Sequence, residues 1–163
     1  MPPAEPWPAG RAEEIVDLLR AINGSLRGQL VQDSIRLGLP KFSRRLPVLM
    51  RVCDEPGITV NELARATGMP KSQVSVLATE MEAEGVLRKA GDPADQRLIR
   101  LSPTAEGKRR AQAWRRAYRG VVLEALRPMT DENVAHLHCG LMALRDALEA
   151  QRDDRTAARE GAM

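Results

Sequence analysis

Aromatic side chains are nearly missing from this sequence. Trp7, Phe42, Trp114 and Tyr118 are all there are, 2% of 163 residues. So few argue against a sheet-rich fold, whose strands favour aromatic and β-branched side chains. Long apolar runs are missing too: none approaches the ~18 residues that a membrane span needs. The proline-rich start lacks the basic and apolar regions of a signal peptide. Cysteine is scarce, with only Cys53 and Cys139. Without an export signal, two cysteines make no disulfide framework, and a reducing cytoplasm is the expected setting. Secreted, membrane and disulfide-stapled classes are excluded. There is also no phosphate-cradling Gly loop, no Gly-x-Ser-x-Gly elbow and no His-Glu-x-x-His, so neither an enzyme nor a cofactor is expected. His136, His138 and Cys139 invite a metal, but only His136 and Cys139 share a helical face, so none is expected.

What is present points to helices and one core. The chain is 43% apolar and 29% charged, rich in the good helix formers Ala, Leu, Arg and Glu. Its net charge of +3 is unevenly spread: segment 86–119 holds ten basic and three acidic residues, +7 net, leaving −4 elsewhere. A local basic stripe in a near-neutral protein is the footprint of a polyanion partner, although a solvated helix face reads the same way by itself.

Along the chain, residues 1–10 read as a disordered arm. Ile15, Leu18, Leu19, Ile22 and Leu26 follow helical spacing, and Gly38-Leu39-Pro40 breaks that helix. A second helix covers 44–53, with Pro47 in its first turn, where a missing N–H does no harm. Thr59-Val60-Asn61-Glu62 is a capping box. Gly68 stops the short helix it opens, and Pro70 begins another that runs to Gly85. Two short helices joined by a Gly-containing turn form a helix-turn-helix. Beyond it, 86–89 and 98–101 read as a hairpin around a turn-rich tip. Ser102-Pro103 reads as the cap of a long helix, which ends at Pro128. In the last helix, Val134, Leu137, Leu141, Leu144 and Leu148 make a short heptad seam. Residues 151–163 read as a frayed tail.

This order of elements resembles the MarR family of bacterial winged-helix transcriptional regulators over residues 11–150. Asp95-Gln96-Arg97 is similar to the family's Asp-x-Arg wing signature. Leu101-Ser102-Pro103-Thr104-Ala105-Glu106-Gly107 is similar to its Leu-Thr-x-x-Gly junction. The fold expected is mainly α: a winged helix-turn-helix (59–102) between dimerisation helices (11–58 and 103–150). Val76 stands where many relatives carry a basic residue.

The resemblance implies a homodimer that binds double-stranded DNA at an inverted repeat and represses transcription until a small-molecule effector releases it. The exposed face of the second short helix offers Lys71, Ser72, Gln73, Ser75, Val76 and Thr79 to the major groove. Arg97 enters the minor groove at the wing tip, and Asp95 orients it by a charge-assisted hydrogen bond. Arg88, Lys89 and Arg100 contact phosphates. Ile15, Leu18 and Ile22 with Leu137, Leu141, Leu144 and Leu148 are the candidate dimer surface. Phe42, Arg44, Arg45, Trp114 and Tyr118 are the candidate effector pocket. Two other readings stay open: a winged-helix dimer binding an acidic protein partner, and a redox-responsive regulator using Cys53. The Arg- and Ala-rich composition fits a GC-rich bacterial source.

Overall fold

A computed structural model of the chain describes residues 10–36, 44–95 and 97–160. Residues 1–9 of the arm expected at 1–10, the helix break expected at Gly38-Leu39-Pro40, Phe42 and Gln96 lie outside the described residues. Helices α1 (Arg11–Arg36) and α2 (Arg45–Asp54) come first. Pro47 sits in the first turn of α2, as its missing N–H requires.

Thr59 then starts the helix-turn-helix. The Glu62 N–H donates to Thr59 Oγ1 (3.3 Å) and the Thr59 N–H donates to Glu62 Oε2 (2.8 Å). Each satisfies a free N–H group of the other, and such a cap is worth about 1 kcal/mol. Helix α3 (Val60–Thr67) stops at Gly68 (φ +68°). Helix α4 (Lys71–Ala83) follows Pro70 and gives way to Gly85 (φ +69°). Both stops use a left-handed backbone that glycine adopts without penalty.

Three strands make a small antiparallel sheet: β1 (Ile58–Thr59), β2 (Leu87–Gly91) and β3 (Ile99–Pro103), in the order β1-β3-β2. Sequence periodicity finds the β2–β3 hairpin and misses β1. Two residues have no period of their own; β1 exists because Ile58 and Thr59 pair with Leu101 and Arg100 far along the chain.

Helix α5 (Ala105–Leu126) begins later than Ser102-Pro103 predicts. Ser102 and Pro103 are still in the ladder, opposite Arg88 and Leu87. The cap is Thr104, whose Oγ1 accepts the Gly107 N–H (3.1 Å) and donates to Gly85 O (2.6 Å). A second departure concerns the tail. Helix α6 (Asp131–Glu160) continues through residues 151–160, which were expected to fray. That stretch is polar but built largely of Ala, Arg, Gln and Glu, which favour helix without needing a packed face.

The chain divides into two units, one ending at Val122 and one starting at Leu123, so the boundary falls within α5. In the first unit, Val48, Leu49 and Val52 of α2 pack with Leu63, Val74, Ala78, Met81, Leu87, Leu101 and Ala111. Leu101 is fully buried, and burying such a side chain stabilises by about 1.5–3 kcal/mol. A smaller cluster joins Leu30 of α1 to Leu46, Trp114 and Val121. The described residues thus form a mainly α winged helix-turn-helix, with further helices before and after it in sequence.

Gly107 explains the glycine of the strand-to-helix junction. A Cβ there would stand 2.2 Å from Val86 O, a backbone atom that cannot move aside alone. Gly107→Ala should therefore destabilise the protein by about 1–3 kcal/mol, the usual cost of overpacking. Gly120→Ala, on the same helix with nothing within 4 Å, should stabilise by up to about 1 kcal/mol through helix propensity. Urea unfolding followed by circular dichroism checks the pair; equal effects would contradict the contact.

Candidate nucleic-acid interface

Helix α4 buries Val74, Ala78 and Met81 in the core. That commitment turns Lys71, Ser72, Val76 and Thr79 outward as exposed residues, with Gln73 and Ser75 half-exposed. Pro70 supplies no side-chain cap. The first N–H groups of α4 are therefore left for another acceptor, such as a phosphate oxygen.

The wing is tied to this helix by one acid. Glu82 accepts the Lys89 backbone N–H (3.0 Å) and pairs with Lys89 Nζ (3.4 Å), which also donates to Thr79 Oγ1 (2.6 Å). The Thr79 hydroxyl spends its own proton on Ser75 O (2.9 Å). Lys89 and Thr79, both expected to touch DNA, thus also hold helix and wing in one arrangement.

Asp92 anchors the wing turn and was missed by sequence reasoning. It is only 6% exposed. Its Oδ1 accepts the N–H groups of Ala94 (2.7 Å) and Asp95 (3.2 Å), and its Oδ2 accepts Arg100 Nε. Arg100 Nη1 in turn donates to Gly57 O (2.9 Å). Arg100, expected on a phosphate, is therefore committed to Asp92 and to the segment before β1, although its side chain is still 44% exposed. The signal was available: Asp followed by Pro is turn chemistry in which the carboxylate accepts N–H groups just ahead.

Asp95 differs from expectation as well. Its Oδ1 accepts the backbone N–H of Arg97 (2.9 Å), so it fixes the main chain at the tip and not the guanidinium. A carboxylate two residues away is better placed for an Asx-type turn than for reaching around a long side chain. Arg97 is exposed, and among the described residues neither its guanidinium, nor that of Arg88, nor the Lys71 ammonium meets an acid. The basic stripe of 86–119 is thus two populations. Lys89, Arg100, Arg109, Arg110 and Arg115 are paired. Arg109 and Arg110 hold the Glu106 carboxyl at about 2. Among the described residues, Arg88 and Arg97 of the wing and Lys108, Arg116 and Arg119 of α5 meet no acid and remain for a partner.

Residues 43–110, which contain all of these groups except Arg115, Arg116 and Arg119, match the MarR family model. The matched region belongs to the MarR family. No curated protein sequence matches the chain. Among solved structures, the chain is similar to a MarR family protein from Bacillus stearothermophilus, with a TM-score of 0.77 at 20% identity over 88% of this chain and 99% of that one. It is similar to FabT of Streptococcus pneumoniae, solved in complex with DNA (TM-score 0.71, 19% identity, 85% and 98% covered). It is also similar to YusO of Bacillus subtilis (TM-score 0.67, 20% identity, 86% and 99% covered). At these identities the likeness is one of fold.

Outside the helix and wing of this MarR-family region, the expected groups are less gathered. Trp114 is buried in the smaller core cluster, Arg44 and Tyr118 are exposed, and Phe42 lies outside the described residues. Arg45 faces α4 and pairs with Glu80 (2.6 Å) and Glu84 (2.5 Å). Ile15, Leu18 and Ile22 of α1 are exposed, as are Leu137, Leu141, Leu144 and Leu148 of α6. His136, His138 and Cys139 are exposed on α6, and no metal-holding group of three occurs among the described residues. Cys53 is half-buried; burial pushes its thiol up, against the opposing pull of Arg115. Peroxide-sensing thiols need the opposite. No described helix is long and apolar enough to cross a membrane.

The Asp92 bonds have a pH signature. The Ala94 N–H first, then the Arg100 guanidinium, hold its carboxyl below the usual carboxylate range. A carboxyl with a lowered folded pKa adds stability above its unfolded pKa, about 3.9, and loses it as pH falls through the folded value. Asp92→Asn should therefore lower stability at about pH 7, and the gap to the unaltered protein should narrow below about pH 4. Urea unfolding across that range measures it; a gap independent of pH would contradict the role given to the charge.

Proposed function

We propose that the chain is a sequence-specific regulator of transcription that binds double-stranded DNA as a homodimer on an inverted repeat. One observation carries this: the exposed polar first turns of α4 and the unpaired Arg88 and Arg97 of the wing belong to one unit, linked through Thr79, Lys89 and Glu82. A helix N-terminus with short polar side chains reads base edges, while flanking arginines hold phosphates or a narrow minor groove. The fold shared with FabT, which was solved on DNA, supports the same reading. Ser72 and Gln73 are the base-reading side chains, Lys71 and Arg88 the phosphate contacts, and Arg97 the minor-groove group. Lys89, Asp95 and Arg100 act from behind, by keeping wing and helix in register.

The dimer is supported by the apolar side chains that α1 and α6 leave exposed in a single chain. Leucines three and four apart on α6 are suited to pack lengthwise against another helix. A C₂ pair would set two recognition helices about one helical turn of DNA apart, ~10 bp. Repression relieved by a small molecule is the regulatory form that the family resemblance supports.

Fluorescence anisotropy on a duplex that the full chain enriches from a randomised pool tests the reading, with sedimentation velocity for stoichiometry. Two protomers should bind per duplex. Arg97→Ala should weaken binding and flatten the dependence of log K on log salt by about one phosphate equivalent. A stable monomer, or an Arg97→Ala protein with unchanged affinity and slope, would contradict it.

A further inference from the structure

We infer that Val76 reads the C5-methyl group of a thymine in the major groove, an inference that rests on the DNA-binding reading above. Val76 is 57% exposed and is the one large apolar side chain that α4 exposes. It stands one turn after Ser72 and three residues before Thr79, in the middle of the proposed reading face. Ser75, Val76, Thr79 and Glu80 line a shallow groove there.

Two of the three polar side chains that line this groove are already engaged. Thr79 gives its hydroxyl proton to Ser75 O and accepts from Lys89, and Glu80 is held by Arg45. The hydrogen-bonding capacity of the face therefore lies at Ser72 and Gln73 in the first turn and at the half-exposed Ser75, and beside them Val76 offers a methyl surface. Of the four bases, only thymine presents an apolar group in the major groove; the other edges present donors or acceptors. Against those edges a valine would strip water and give no partner in return. Valine is also stiff at χ1, so little side-chain freedom is lost when it is pressed against a base.

The test uses a duplex enriched by the full chain from a randomised pool. Each T·A pair of a half-site is replaced singly by U·A, which removes only the methyl group, and affinity is measured for the unaltered chain and for Val76→Ala. One thymine per half-site should show an affinity about fourfold weaker as uracil, what burial of one methyl group is worth. In Val76→Ala the same replacement should cost nothing. The ratio of T to U is taken within each protein, so a general loss of affinity in the variant cancels. Uracil tolerated at every position, a half-site without thymine, or a penalty that survives in Val76→Ala would overturn the inference while leaving sequence-specific binding intact. If no duplex is enriched, the DNA reading falls and the role of Val76 with it.

Discussion

Thr104 and Gly107 docked on the carbonyl groups of Gly85 and Val86 hold the proposed reading surface together. Four elements meet there: the end of α4, the start of β2, the end of β3 and the start of α5. Thr104 closes the junction with its hydroxyl on Gly85 O and its own N–H on Val86 O (3.0 Å). Gly107 lets the first turn of α5 lie against the same carbonyl, where any Cβ would collide. Because the recognition helix and the wing both end at this point, neither can shift without breaking it. A reader that must place a helix in one groove and an arginine in the next needs that rigidity.

Charge does two jobs in this region of the MarR family, and the pairing separates them. Glu82, Asp92 and Glu106 take up Lys89, Arg100, Arg109 and Arg110, and so spend much of the basic stripe on internal order. Exposed pairs of this kind contribute little stability each; at Asp92, near the core, the pairing also fixes a turn. On the wing, Arg88 and Arg97 are what remains for a polyanion, with Lys108, Arg116 and Arg119 on α5. Net charge over a segment overstates its capacity to bind DNA, since paired cations release fewer counterions.

Much of the fold was legible because local chemistry agrees with the global arrangement. The capping box at Thr59, the stops at Gly68 and Gly85 and the early Pro47 each mark a boundary by their own backbone needs. What stayed hidden depends on distant partners. β1 exists through β3, and Ser102-Pro103 is held in a ladder by Arg88 and Leu87 despite looking like a helix cap. For the candidate site, periodicity finds which α4 residues face outward. It cannot tell that Lys89 and Arg100 are drawn inward by Glu82 and Asp92, because those pairs form across seven and eight residues of turn and hairpin.

The claim that α4 and the wing act as one duplex-reading surface is tested most directly by amide hydrogen exchange of the full chain, with and without an enriched duplex. The account predicts that duplex slows exchange in residues 71–79 and 88–95 together, with little change in residues 137–148. Slowing confined to α6, or in α4 without the wing, would contradict it.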